Sequence, residues 1–474
     1  MHEAASTVIF EEHQSVLAHW FENQVRGATV ICFDAHLDLQ PVSRARLDRL
    51  AACGSGDEVR QLAKRHHLLT DDDSSYSIED FFFAAAKLGL VNHLVWVAPP
   101  HVRLEPVDEA IDQFRELPGI TTDCLQQINR HRVRDTPCFT TEFWGLRLTV
   151  CRREALPALE LPGDSLIDID IDYFIDLPSQ QLGETPTSVM ASLRASGLAS
   201  VNATISRSVR SGFTPLRYRF LADWMAAMIQ DPSGRSSVAE TGRDLALLYH
   251  DIDCEHQFID PPRIDQLSSR TAHPCGAGAV EYALSIACQS IANRGRDPSP
   301  FSTRAKDYLA ASIRAQNAYA TDVVRLASEY PNRQIPIDIE RAEALERMLQ
   351  TPASNPEFTV DQWNVIAASA IGLLWCHLQQ FDRAEACYQD AMRSGQPSRE
   401  LALELAKSFL GRGSPFAAMP YLDDALLDDK TRPTSLFLKA IASRQLGRTG
   451  EAETLLETLR ELAPAWPDLH SIRN

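Results

Sequence analysis

The chain has 474 residues, of which 44% are hydrophobic and 23% charged, and its formal net charge is −18 at pH 7. This length predicts more than one domain, and the composition is that of a globular protein rather than a disordered or fibrous one. The acidic balance argues against a nucleic-acid partner, because phosphate binding requires a basic surface, and it is compatible with a cationic substrate.

The beginning of the chain carries no targeting signal that we can identify. Residues Met1 to Phe10 include Glu3 and lack the basic start of a secretory signal. No apolar run approaches the roughly 20 residues that a membrane-spanning helix needs. The 10 cysteines are scattered, which indicates reduced, mostly buried thiols rather than disulfides or a zinc site. We therefore expect a cytoplasmic protein without a membrane partner.

Up to about residue 290, strand-length apolar runs alternate with helical patterns. The predicted strands are Ala28–Phe33, His93–Val97, Leu146–Val150, Ser165–Ile171 and Leu245–Tyr249, and the helix-like stretches include Ile78–Leu88 and Pro215–Ile229. Alternating strands and helices predict an α/β domain with a mainly parallel sheet and helices on both of its faces.

The first polar cluster follows the apolar run Ala28–Phe33. Asp34, His36 and Asp38 are spaced two residues apart, so their side chains point the same way from an extended chain. They lie where a strand ends, and ligands of α/β sheets collect beyond the carboxyl ends of strands. Carboxylates with an imidazole suit a divalent ion such as manganese better than thiolate-seeking zinc. A solvated polar strand edge is the alternative.

The second cluster is Asp168, Asp170 and Asp172, which alternate with isoleucines on a strand expected to be central in the sheet. Central parallel strands are normally apolar, and like charges there are costly unless cations compensate them. An acidic edge strand is the alternative, but two such clusters after two strands favour a metal pair. His13, after the short apolar stretch Thr7–Phe10, is a weaker third candidate.

After about residue 300 the strand signals stop, and prolines in Arg333–Ile337 and Thr351–Glu357 punctuate predicted helices. An internal period of 34 residues relates Ala384 to Ala418 and Ala452, and Ala391 to Ala425. Helical-hairpin repeats of this length need small residues where their helices touch. The segment from about Trp363 to Pro464 resembles tetratricopeptide repeats. An irregular helical bundle is the alternative.

The run Asp34-Ala35-His36-Leu37-Asp38 resembles the DAHxD motif of arginases, agmatinases and their relatives, and the run Asp168–Asp172 resembles their later paired-aspartate motif. The usual SxDxDxxDP ending is absent, because Tyr173 and Phe174 follow instead. Together with Glu12-His13-Gln14, Ser77-Ile78-Glu79 and Val95–Pro100, these segments look closer to a divergent branch that includes bacterial peptide arginases. The resemblance covers about residues 8–290 and implies an arginase-like three-layer fold.

The resemblance also implies a ligand set for two manganese ions. His13, Asp34, Asp38 and Asp170 would bind one ion, and Asp34, His36, Asp170 and Asp172 the other, with Asp34 and Asp170 bridging. Asp168 would not bind a metal ion itself but would orient a ligand. A register shifted by two residues, in which Asp168 and Asp170 are the ligands, stays open. The implied reaction is hydroxide attack on a guanidinium carbon, which gives urea and an amine.

The guanidinium-binding carboxylate is not decided by the sequence. A guanidinium offers donors only, so its partner must accept hydrogen bonds. The resemblance implies an acid on the strand after the paired aspartates, which we predict to be Leu245–Tyr249. The candidate acids are therefore Asp251, Asp253, Glu255 and, independently, Glu79, and the candidate proton shuttles are His250, His256 and His273.

The resemblance, together with the repeats, implies a peptide arginase that releases urea and leaves ornithine in an arginine-containing peptide. The predicted division is a catalytic domain over residues 1–295, a helical connector over 296–360 and repeats over 361–474. The repeats favour a peptide substrate and could also bind a protein partner or precursor peptide, because helical solenoids present extended surfaces. The alternatives are hydrolysis of free arginine or agmatine, a metal-dependent deacetylase, and a non-catalytic repeat scaffold.

Overall fold

A computed structural model describes residues 7–70, 74–198, 202–231, 233–253, 261–268, 278–294, 299–333, 337–350 and 357–467. The strands are β1 (Thr7–Phe10), β2 (Ala28–Phe33), β3 (Val91–Val97), β4 (Asn129–Val133), β5 (Thr136–Phe143), β6 (Leu146–Cys151), β7 (Leu166–Asp170), β8 (Ile175–Asp176), β9 (Gln181–Leu182) and β10 (Ala203–Ser206). Eight of them form one sheet in the order β1-β10-β7-β2-β3-β6-β5-β4, and β8 pairs with β9.

The sheet is mainly parallel, as predicted. All pairs from β1 through β10, β7, β2 and β3 to β6 are parallel, whereas β6, β5 and β4 form an antiparallel meander at one side. Four of the five predicted strands are confirmed as β2, β3, β6 and β7. The short strand β10 and the pair β4 and β5 were not predicted, because their polar residues hide the apolar alternation.

The helices of the first half of the chain are α1 (Ser15–Glu22), α2 (Arg44–Ala51), α3 (Gly56–Gln61), α4 (Phe81–Lys87), α5 (Val107–Asp112), α6 (Thr122–Gln126), α7 (Pro186–Ala195), α8 (Phe220–Gln230) and α9 (Ser237–Asp253). Short 3₁₀ segments include Ile171–Phe174 and Leu216–Tyr218. The predicted helices near Ile78 and Pro215 are present but begin later, at Phe81 and Phe220.

Helices cover both faces of the sheet because its strands are apolar on both. On β2, Ile31 and Phe33 join a core with residues of α7, α8 and α9. Val30 and Cys32 point the other way, into a core with residues of α1 and α4. The sheet is therefore the middle of three layers.

The segment Leu245–Tyr249 is helical, so our prediction of a strand there is wrong. It lies inside α9, where Leu245, Leu248 and Tyr249 are buried. Their spacing of three and four residues is that of one helix face, and Ala239 and Gly242 extend the same face towards the N-terminus. The apolar run was long enough for a strand, but its neighbours carry the helical period. The parallel strand next to β7 on that side is β10.

The described residues after α9 are mainly helical. Their helices are α10 (Pro261–Ser268), α11 (Ala279–Arg294), α12 (Ser299–Ala315), α13 (Val323–Arg333), α14 (Ile339–Gln350), α15 (Val360–His377), α16 (Phe381–Ser394), α17 (Arg399–Gly411), α18 (Pro415–Ala425), α19 (Arg432–Gln445) and α20 (Thr449–Leu462). Within the described ranges, no helix has both the length and the hydropathy to cross a membrane. The domain boundaries expected near residues 295 and 360 stay a prediction.

The last six helices form the three hairpins that the 34-residue period predicts, α15 with α16, α17 with α18 and α19 with α20. Ala384, Ala418 and Ala452 are fully buried at equivalent positions. The first helix of each hairpin is followed by a residue with positive φ, and these residues are Gln379, Gly413 and Gly447. This left-handed conformation terminates a helix so that the chain can reverse. The 34-residue period of the sequence therefore corresponds to a repeated helical hairpin in the structure.

The repeats pack against the α/β part at both ends of their path. Leu68 and Leu69 enter the core of the first hairpins. On α13, which precedes the repeats, the hydroxyl of Ser328 lies 2.9 Å from His66 Nε2. Near the end of the chain, the backbone N–H of Gly119 donates to Leu462 O at 2.8 Å. The first and the last hairpins therefore both contact the α/β part of the chain.

Candidate metal centre

The polar side chains of the two predicted clusters meet at the carboxyl edge of the sheet. β2 ends at Phe33 and β7 at Asp170, and β7 lies between β2 and β10. His13 follows β1, which pairs with the other side of β10. Because these strands are parallel, the residues after them gather at one edge. Asp172 does not continue β7 as predicted but lies in the 3₁₀ segment Ile171–Phe174.

The first group of potential ligands surrounds one nitrogen of His13. Its Nδ1 lies 3.0 Å from Asp38 Oδ2, 3.2 Å from Asp34 Oδ2 and 3.3 Å from Asp170 Oδ2. The His13 side chain is completely buried. These four residues are the set that the resemblance assigned to one metal ion, and the fold brings them together from three separate segments of the chain.

The other nitrogen of His13 is held by Asp168. His13 Nε2 lies 2.8 Å from Asp168 Oδ2, and Asp168 Oδ1 accepts a hydrogen bond of 2.5 Å from the Thr204 hydroxyl. Since a carboxylate only accepts, this contact places a proton on Nε2 and leaves Nδ1 to face the carboxylates. Partners of this kind orient metal-binding histidines and raise their basicity. The geometry thus favours Asp168 as a positioning residue.

A second group overlaps the first at Asp34. One ligand atom each from Asp34, His36 and Asp172 lies within 4.8 Å of the others. His36 Nδ1 is 2.8 Å from Asp172 Oδ2 and 3.9 Å from Asp34 Oδ1. Asp34 presents Oδ2 to the first group and Oδ1 to the second, as a bridging carboxylate would. The bridging roles of Asp34 and Asp170 both stay predictions, because Oδ1 of each also accepts a backbone N–H, from His36 at 2.7 Å and from Asp172 at 3.3 Å.

The charges of the cluster are poorly compensated by protein groups alone. Burial, and then the neighbouring charge of Asp172, raises the pKa of Asp34 and of Asp170 well above the ordinary aspartate range. Burial alone would lower the pKa of His36, but Asp172 and the other carboxylates raise it to about 10. Like charges at this distance favour either protonation of a carboxylate or a nearby cation. The residues present therefore fit divalent ions.

Thiolate coordination is disfavoured here. The Cys32 thiol lies 3.8 Å from Asp168 Oδ2 and shares a possible ligand group with His13 and Asp168. Burial, and then the nearby charge of Asp168, raises the pKa of this thiol well above its usual value. Because only a thiolate is a good metal ligand, the oxygen and nitrogen donors dominate the site. Such a donor set suits manganese or magnesium better than zinc.

A cavity of about 370 Å³ opens beside the cluster. His36 and Asp38 contribute to one side of it, and the His36 side chain is 38% exposed. Most of the remaining wall is apolar, formed by Trp96, Val102, Leu104, Ala110, Phe114, Leu117 and Phe139. The charged groups elsewhere in the wall are Glu79 and Lys430. The cavity therefore combines candidate metal ligands, an apolar wall and a carboxylate.

Of the candidate guanidinium-binding acids, Glu79 is the one that the structure places beside the ligand cluster. His250 and Asp251 lie on α9, because the predicted strand is a helix, and neither is among the described residues that line the cavity. Asp253, on the same helix, pairs with Arg217 at 2.8 Å. Glu255, His256 and His273 lie outside the described residues.

Sequence analysis missed two groups that support the cluster. The Ser208 hydroxyl donates to Asp170 Oδ2 at 2.5 Å, and the Trp96 indole donates to the backbone oxygen of Asp34 at 2.9 Å. A signal for the first was present, since Thr204, Ser206 and Ser208 alternate along and after β10 as the aspartates do on β7. The sequence does not show, however, that β10 pairs with β7, which places these hydroxyl side chains beside the aspartates.

Substitutions at Asp168 and Asp170 separate the positioning role from the ligand role. We expect Asp168→Asn to weaken manganese binding roughly 10–100-fold, the usual effect of losing a group that orients a ligand. Asp170→Asn should weaken it more, because it removes a carboxylate that faces His13 Nδ1. Manganese titration followed by calorimetry measures both. Equal losses would instead make Asp168 a ligand, as the shifted register requires.

Comparison with protein-family models, with curated proteins and with solved structures gives no match for this chain.

Proposed function

We propose that the protein is a manganese-dependent hydrolase with an arginase-like fold that converts an arginine side chain in a peptide to ornithine and urea. The observation that carries the proposal is the pair of overlapping histidine–carboxylate groups that share Asp34. The resemblance of Asp34–Asp38 and Asp168–Asp172 to ureohydrolase motifs gives the chemistry. When bound, a pair of divalent ions supplies a nucleophile by lowering the pKa of water to near neutrality.

The residues of this chain would bind and orient the substrate. The apolar wall of the cavity would hold the methylene stem of arginine, which carries no polar group. Glu79 would accept hydrogen bonds from the guanidinium, since a carboxylate matches its donors. His36 and Asp38 line the same cavity as Glu79, so a guanidinium bound by Glu79 would face them.

A peptide substrate fits the surroundings better than free arginine. The segment after Asp38, residues Leu39–Arg44, has no recognisable match to the loop that holds the α-amino and α-carboxylate groups in free-arginine enzymes. The repeats pack beside this segment, where the Ser43 N–H donates to Asp429 Oδ2 at 3.1 Å. Contacts remote from the reacting carbon can orient it, and the repeats could supply them.

The test is release of urea. We expect the manganese-loaded protein to release urea from blocked arginine, N-acetyl-arginine amide, and from arginine-containing peptides, with the matching mass loss in the peptide. Peptides should exceed free arginine in kcat/KM by more than tenfold, about 1.4 kcal/mol of transition-state stabilisation. If free arginine or agmatine is the better substrate, the peptide assignment is wrong. Absence of urea with every guanidine would refute the proposed function.

A further inference from the structure

Two cavities meet at Glu79 and Lys430. The inner cavity contains the metal ligands His36 and Asp38. A second cavity of about 300 Å³ lies outside it, between residues 40–49, 64–70 and 74–80 of the α/β part and two segments of the repeats, 398–400 and 427–431. Gln40, Glu79 and Lys430 line both cavities. A side chain that passed from the outer cavity to the metal ligands would therefore pass these three residues.

Lys430 bridges two carboxylates at this boundary. Its Nζ donates to Glu79 Oε1 at 2.7 Å and to Glu400 Oε1 at 2.5 Å. Glu79 belongs to the α/β part, whereas Glu400 lies on α17 of the repeats. The three side chains remain partly exposed, 31% for each glutamate and 41% for the lysine. Because Lys430 is shared between two carboxylates, it can leave one of them and stay paired with the other, so a stronger donor can take its place on Glu79.

The turn that carries Lys430 is itself fixed. Asp429 accepts a hydrogen bond from the Ser43 N–H, and its Oδ2 also lies 3.8 Å from Arg46. The hydroxyl of Thr431 donates to Ala425 O at 2.5 Å, and the backbone N–H of Lys430 donates to Asp428 Oδ1. The backbone is held on both sides of the lysine, so exchange of partners requires only its flexible side chain to move.

We infer that Lys430 and Glu400 determine substrate specificity, and this inference rests on the proposed function. The arginine side chain enters from the outer cavity and displaces the ammonium of Lys430 from Glu79, while Glu400 retains the lysine. A guanidinium can replace the ammonium because it donates two parallel hydrogen bonds to one carboxylate. A neutral side chain of the same shape cannot, because it would leave the charge of Glu79 without a counterion. The repeats thus take part in selecting a cationic substrate.

This inference predicts opposite effects of two substitutions. Lys430→Met removes the internal competitor and should lower the Kd and KM for N-acetyl-arginine amide about three- to fivefold. Glu400→Gln removes the alternative partner of the lysine, which then stays on Glu79, and should raise both constants by a similar factor. These factors correspond to one exposed ion pair. Lys407→Met is the matched control, because Lys407 forms a similar pair with Glu404 on the same helix, at 2.7 Å.

The experiment measures binding of N-acetyl-arginine amide by calorimetry and urea release in parallel, with N-acetyl-citrulline amide as the neutral analogue. Citrulline binding should remain weaker than arginine binding in the wild type. If both variants shift affinity in the same direction, or neither differs from Lys407→Met, the inference is wrong. Lys430→Gln replaces the methionine variant if the latter fails to fold. If arginine binding follows the predicted order but no urea forms, the proposed reaction fails and the cation selection stands.

Discussion

Asp34→Asn is expected to reduce urea release by a factor of about 1000 or more, equivalent to about 4 kcal/mol of transition-state stabilisation. Asp34 is the one residue of the cluster whose two oxygens face different ligand groups, Oδ2 towards His13 and Oδ1 towards His36. An amide keeps one oxygen, which can still accept the His36 N–H that Asp34 Oδ1 accepts at 2.7 Å. It is neutral, however, and its NH2 group cannot act as the second oxygen ligand. Metal content should therefore fall below the two ions per chain expected for the wild type.

The same substitution should not destabilise the metal-free protein. Burial and neighbouring carboxylates raise the pKa of Asp34, which means that its charge is unfavourable in the folded state without a cation. Removing that charge should leave the midpoint of thermal unfolding unchanged or raise it. Asp48→Asn is the control, since Asp48 forms an exposed ion pair with Arg44. Full activity and two bound ions in Asp34→Asn would show that the two groups do not share a metal-bridging carboxylate.

Removing metal is expected to lower the thermal stability of the protein. It should also make the unfolding free energy fall, rather than rise, as the pH increases above about 6.5. Each ion that binds only the folded state stabilises it by about 2.7 kcal/mol at a free concentration 100 times its Kd. Two ions should therefore produce a shift of several kcal/mol on chelation. The increase in unfolding free energy with added manganese, and its loss with a chelator, are measured by thermal or denaturant unfolding.

The sign of the pH effect follows from the raised pKa of the histidines. The pKa of His36 is raised to about 10 in the metal-free protein, against an ordinary value of 6.5, so its charge stabilises the folded state below about pH 6.5. This contribution is lost as the pH rises from there towards 10. Metal must displace the proton, so the stability gained from manganese should rise over the same interval. A metal-free protein whose stability increases from pH 6.5 to 9 would contradict this account.

Part of the candidate site could be identified from local sequence alone. The polar residues after Ala28–Phe33, and the aspartates that alternate with isoleucines near residue 168, follow from the two-residue period of extended chain. The 34-residue spacing of small residues likewise indicated the helical hairpins. These features depend on residues close in sequence, where backbone geometry fixes which side chains share a direction.

The sequence by itself therefore determined the mainly parallel α/β core, the C-terminal hairpins and most members of the ligand cluster. His13 was only a weak candidate from its local sequence, and tertiary structure brings it to the cluster, because β1 pairs with β10 and β10 with β7. Tertiary structure also placed Glu79 beside the cavity, and it brought Lys430 to Glu79 across 351 residues of chain. The physical reason is that strand order and the packing of the repeats are set by the burial of whole faces. No local period encodes which faces meet.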